Sequence, residues 1–238
     1  ELTNQFIDFI RLQPKISENI GGEHLKFSCK LAIGTAQEEG MFNVVSTCSY
    51  KFTQDMGVVN DEWLKYEKGL REKNITKTEI DFLKKDWLLL DAKKYYIKDN
   101  FDFIIETIGI YTNFKLVEMG CNVLISKLNK LSTILKNKED LITESDNMLE
   151  NSYDIKLENE DYTIGKVLEY ILYNKYFTEE QILTYCGFIK QHPHNNYSII
   201  RCAFKNIVNN TDILLYLDNS IKIALEIFKK ILDMFSEE

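Results

Sequence analysis

Few residues in this sequence have the types and spacing that chemistry needs. His192 and His194 flank Pro193. Two imidazoles at i and i+2 can share a metal, but no Cys or carboxylate stands at a spacing that would complete the site. The pair therefore reads as a turn, with Pro193 setting φ and a His bonding the backbone. Asn159-Glu160-Asp161 could offer carboxylates to a divalent ion. Asp161 or Thr163 at the start of a helix, accepting free backbone N–H groups, accounts for the same residues. His24 has no nearby Ser or Cys nucleophile motif. Gly165 has no second glycine and no Gly-Lys-Ser/Thr after it, so it predicts close packing of a helix rather than a phosphate loop. Cysteines stand at 29, 48, 121, 186 and 202, an odd count with no C-x-x-C and no zinc-finger spacing. They predict mostly buried, reduced thiols in a cytosol-like compartment. No catalytic residue, metal or cofactor is expected.

The elements that must position these residues belong to a chain of 238 residues with 29 Lys plus Arg against 37 Asp plus Glu, a net charge of -8. That acidity argues against sequence-independent nucleic-acid binding, which needs dense Lys and Arg. Hydrophobic residues at 45% and charged residues at 28% exclude a disordered chain. No apolar run reaches the ~18 to 20 residues of a membrane span, and Glu1-Leu2-Thr3-Asn4 does not read as a signal peptide. A first residue other than Met suggests a processed chain or a fragment.

Residues 24–34 alternate, with Leu25, Phe27, Cys29, Leu31 and Ile33 on one face, which predicts a strand. Residues 42–52 are also β-prone, so 1–57 reads as a β-rich unit. Residues 60–97 have helical spacing, with Thr76 or Thr78 as a cap. A strand at 101–108 leads to a long amphipathic helix over 113–135, carrying Leu116, Met119, Val123, Ile125, Leu128, Leu131 and Leu135. Residues 138–152 read as a polar linker. The remainder, 153–238, predicts strand 153–158, a helix from about 162 to 175, strands 185–189 and 197–204, and a closing helix over 211–234. That helix has Ile213, Leu217, Ile221, Ala224, Leu225, Phe228, Ile231 and Leu232 on one broad face. The order is β-α-β-β-α, and 101–135 repeats its last two elements. The fold class is α+β.

Two sets of residues resemble a known family. Asn159-Glu160-Asp161-Tyr162-Thr163-Ile164-Gly165-Lys166-Val167-Leu168 is similar to the N-E-D-H-T-L-G-N-x-L of the smaller alpha-like subunit of cellular DNA-directed RNA polymerases. Cys186-Gly187-Phe188 with His192-Pro193 resembles its A-G-Y-x-x-x-H-P, and Ser198-Ile199-Ile200-Arg201 follows in order. Upstream, Gly22-Glu23-His24-Leu25-Lys26-Phe27, Phe42-Asn43-Val44-Val45-Ser46-Thr47-Cys48-Ser49-Tyr50 and Phe103-Ile104-Ile105-Glu106-Thr107-Ile108-Gly109 resemble the G-Q-E-x-x-L, F-S-P-V-S-T-A-S-Y and F-x-V-E-S-x-G of the larger subunit. Both partners on one polypeptide resemble the fused subunits of polymerases from large DNA viruses. Tyr162 replaces the family's His, Lys166 its Asn, and Glu39-Gly40-Met41 its H-A-K. The larger half lacks its opening strand and helix.

The resemblance implies a non-catalytic assembly subunit in DNA-templated transcription. Two alpha-like halves, the first incomplete, would pair through their long helices into a pseudo-dimer platform for the two large catalytic subunits, beside other polymerase subunits. DNA would be met only through the complex, and no membrane partner is implied. The interface would comprise Leu116, Val123, Leu128, Leu131, Ile164, Gly165, Leu168, Leu225, Phe228 and Leu232. The location would be cytoplasmic or nuclear, with packaging in a virion as a further option. In this reading, 1–57 ends an inserted β-rich domain, 58–137 carries a helical segment, strand and dimerisation helix, and 153–238 is the smaller alpha-like domain. The alternatives are long helices that each cover their own sheet, and a stand-alone α+β adaptor with no polymerase role.

Overall fold

Alternating apolar residues at 48–52 and 101–105 pair into a ribbon in the computed structural model, which describes residues 9–137, 141–146 and 148–235. The chain forms two compact units, 1–113 and 114–238. In the first, β1 (Val45–Gln54) and β2 (Tyr96–Thr107) are antiparallel, with Tyr50 opposite Phe103 and Phe52 opposite Phe101. Between them stand α1 (Met56–Glu72) and α2 (Lys77–Leu89). The Asp55 carboxylate accepts from the N–H groups of Gly57 and Val58 at the start of α1. Thr76 and Glu79 form a reciprocal capping box at the start of α2, satisfying donors the first turn leaves free. Trp63, Leu70 and Ile80 make a small core between the helices, and the Trp63 and Trp87 rings lie 5.5 Å apart.

The strand expected at 24–34 is absent. These residues have no regular structure, and Leu31 and Ile33 are fully exposed. Alternation alone does not make a strand: its N–H and C=O groups need a neighbouring strand, and no ladder in the described residues reaches this stretch.

In the second unit α3 (Asn113–Asn137) precedes a four-stranded antiparallel sheet ordered β3-β4-β6-β5. Its strands are β3 (Ile142–Glu144), β4 (Ser152–Glu158), β5 (Leu183–Ile189) and β6 (Tyr197–Phe204). Helix α4 (Tyr162–Leu172) runs into a π-helical turn, Tyr173–Glu179, and α5 (Asn210–Phe235) closes the unit. Period-2 patterning puts Tyr153, Ile155 and Leu157 into the core with Ile200 and Cys202. Asp154 and Lys156 point to the other face. The helices bring Leu128, Leu131, Leu135, Ile164, Leu168, Ile213, Leu217 and Ile221 to the same core.

The segmentation differs from the sequence expectation in two ways. β1 and β2, assigned to different segments, form one ladder, while α3 groups with the C-terminal elements. The stretch expected as a linker carries β3, whose Ile142 pairs with Ile155, because Leu141 and Ile142 are buried apolar residues within a polar run. Residues 138–140 and 147 of that stretch lie outside the described residues. No described helix is long and apolar enough to cross a membrane.

Candidate interaction surface

Helices α3 and α5 lie antiparallel. Phe114 near the start of α3 meets Phe235 at the end of α5, with ring centroids 6.1 Å apart. Further along, the Ser132 hydroxyl donates to Asp218 at 2.9 Å, and Lys136 pairs with the same carboxylate at 2.8 Å. Lys222 completes the group at 2.9 Å. Hydrogen bonds from Lys136 and Lys222 hold the Asp218 carboxyl far below the usual carboxylate range. A cavity of about 150 Å³ beside this carboxylate is lined by Ser132, Leu135, Leu214 and Ile221.

Among the residues expected at an interface, Leu128, Leu131, Ile164, Gly165 and Leu168 are buried. Leu128 is 0% exposed. Leu116, Leu225, Phe228 and Leu232 are half-buried. Val123 is 56% exposed and lies off the packed stripe. The reason is helical phase. Leu124, Leu128, Leu131 and Leu135 follow i, i+4, i+7, i+11, while Val123 precedes Leu128 by five residues, well around the helix. Sequence reading missed Cys121 and Leu124 on this stripe, although their steps of three and then four residues, 121 to 124 to 128, were the available signal.

Gly165 sits under the Phe188 ring of β5 so closely that a Cβ there would overlap it. Tyr162 meets the same ring edge-on at 5.3 Å, and the Lys166 ammonium stands 5.8 Å over it. The Ser198 hydroxyl donates to the Glu160 carbonyl at 2.9 Å. Two of the C-terminal segments that carry the resemblance thus meet at Gly165 and Phe188, and the third joins the first through Ser198 and Glu160. The two departures, Tyr162 and Lys166, both stand beside the Phe188 ring. A similar meeting occurs in the first unit. Thr47 donates to the Glu106 carboxylate at 2.9 Å, and the Thr107 hydroxyl accepts from the Gly109 N–H at 3.0 Å. Gly109 has φ of 102°, a conformation that favours glycine.

The acidic run before α4 is fully engaged. Glu160 pairs with Lys127 at 3.2 Å, tying α3 to the α4 entry, and Asp161 accepts from the Thr163 N–H at 3.1 Å. His192 Nδ1 accepts from the His194 N–H at 3.2 Å, as expected of a backbone-bonding turn. Among the described residues no group of three or more His, Cys, Asp or Glu is placed to hold a metal. On the sheet face away from the helices, Arg201 grips Asp154 through two bonds of 2.6 and 2.7 Å, holding that carboxyl below its ordinary range. Only Cys121 and Cys202 are buried. Cys186 is half-buried and Cys29 and Cys48 are exposed, so the expectation of mostly buried thiols holds for fewer than half of them.

The ribbon of the first unit carries an aromatic face that the sequence reading did not single out. Tyr50, Phe52, Phe101, Phe103 and Tyr96 form a connected set of ring contacts, and Phe103 is 69% exposed. The period-2 placement of Tyr50 and Phe52, and of Phe101 and Phe103, was the signal for it. No protein-family model matches the chain, and no curated protein matches it.

Proposed function

We propose that this chain is a non-catalytic assembly subunit of a multisubunit DNA-directed RNA polymerase. Its two alpha-like halves make a pseudo-dimer platform on which the two large catalytic subunits dock. The observation that carries the reading is the antiparallel seating of α3 on α5 over one core, with Leu128 fully buried and Asp218 bonded from both helices. Support comes also from the β-α-β-β-α order from β4 to α5, and from hydrogen bonds that join segment 42–50 to 103–109 and segment 159–168 to 198–201, while the resembling segment 22–27 pairs with none of them.

A platform works by holding shape. Buried Leu128, Leu131 and Leu135 tie α3 into the core that α4, α5 and the sheet share. The Asp218 group sets the register of α3 on α5, because its three donors come from fixed positions on two helices. Nucleotidyl transfer belongs in this reading to the large subunits, and the acidic balance suits a subunit that stands away from the DNA path. The test is co-purification of the large subunits from the native source, read by mass spectrometry, with wild type, Leu128→Asp and Lys229→Glu. Placing a carboxylate in the Leu128 site costs several kcal/mol, comparable to a domain's stability margin. Leu128→Asp should lose the large subunits. Lys229 is exposed, so its reversal should cost within about 0.5 kcal/mol and retain them. Absence of any polymerase subunit from the wild-type sample overturns the proposal.

A further inference from the structure

Cys186 on β5 and Cys202 on β6 stand directly opposite each other in the antiparallel ladder, and their sulfurs lie 3.9 Å apart. Both are free thiols. Directly opposed residues of such a pair hold their Cα atoms about 4.5–5.5 Å apart, inside the range of about 4.4–6.8 Å that a disulfide spans. Side-chain rotation can therefore bring the sulfurs to bonding distance while the ladder stays in place. The two thiols differ in access. Cys202 is 2% exposed, whereas Cys186 is half-buried and also contacts the Glu169 carbonyl of α4 at 3.8 Å. The hydrogen bond to Cys186, together with burial, pushes the Cys202 thiol well above its ordinary range, so it stays protonated and does not start a reaction. Cys29, Cys48 and Cys121 belong to other parts of the chain, the irregular 24–34 stretch, β1 and α3.

We propose that Cys186 and Cys202 form an oxidation site for hydrogen peroxide, in which Cys186 reacts first and Cys202 closes a reversible cross-strand disulfide. In the first step the Cys186 sulfur attacks one peroxide oxygen and the O–O bond breaks. Cys186 becomes a sulfenic acid, and the departing hydroxide takes up the thiol proton as water. In the second step the Cys202 sulfur attacks the Cys186 sulfur. The S–O bond breaks, the S–S bond forms, and hydroxide leaves with the Cys202 proton as a second water. Two thiols and one peroxide give one disulfide and two waters. Each sulfur loses one electron, and the peroxide gains both. The bond ties the outer strand β5 to β6 and releases the Cys186 contact with Glu169. A dithiol reverses it by exchange.

The test treats the full chain with a modest excess of hydrogen peroxide, blocks remaining thiols, and maps cysteine peptides by mass spectrometry. The expected result is one dominant linkage, Cys186 to Cys202, lost on treatment with dithiothreitol and absent in Cys186→Ser. Cys202→Ala should leave a sulfenic acid on Cys186 that dimedone traps. The oxidised wild type should melt a few degrees higher. Linkages through Cys29 or Cys48 at comparable yield would overturn the proposal. So would oxidation of Cys186 beyond the sulfenic acid with no link formed. Wild-type mapping decides the matter even if a variant fails to fold.

Discussion

Asp218 receives a hydroxyl and two ammonium groups, and its carboxyl is depressed as a result. A depressed folded-state value means that the carboxylate contributes stability above the unfolded-state value, about 3.9, and loses it as pH falls through the folded value. Wild-type stability should therefore decline as pH drops through and below that range. Asp218→Asn should show less of this decline, and at neutral pH it should cost about 1–2 kcal/mol. Lys136 and Lys222 are more than half exposed at their side chains, so added salt should recover part of the difference between the two proteins. Urea unfolding of both proteins across pH and ionic strength measures this. Equal pH slopes would show that the bonds at Asp218 do not hold the two helices.

For α4, the contact between Gly165 and Phe188 sets how closely the helix approaches the sheet. Gly165→Ala gains about 1 kcal/mol of helix propensity but drives a methyl into an aromatic ring, an overpacking cost of about 1–3 kcal/mol. The net effect should be destabilising by up to about 2 kcal/mol. Combining it with Phe188→Leu removes the clash, so the double-mutant cycle should show coupling of at least 0.5 kcal/mol in the rescuing direction. Additive effects in denaturant melts would mean the ring moves aside at no cost. Gly165 alone suggested close packing from sequence. Its partner did not, because Phe188 is 23 residues downstream and reaches it only when β5 pairs with β6.

Across the whole chain, the core of the second unit draws on every helix and strand between α3 and α5. A fragment spanning 114–238 should therefore fold by itself, with one cooperative thermal transition and fixed near-ultraviolet dichroism. A broad, non-cooperative melt would show that this unit depends on residues before 114.

Local patterning determined much of this protein. Helical spacing placed α3 and α5 to within two residues at each end, and β-α-β-β-α was readable from 153 onward. Side-chain chemistry narrowed the caps to Thr76 or Thr78 and Asp161 or Thr163, of which the structure uses Thr76 and Asp161. What the sequence left open was decided by partners distant in the chain. Alternation at 24–34 matched that of β4, yet β4 has β6 and β3 as neighbours and 24–34 has no strand beside it. Val123 and Leu128 were both read as interface residues although helical phase sets them well apart around α3, and the seating of α3 decided which part of that broad apolar face is buried. The same holds for the opposition of Cys186 to Cys202. Their spacing of sixteen residues has no meaning until strand register puts one sulfur beside the other, because register is set by the pairing of whole strands and not by either cysteine's own neighbourhood.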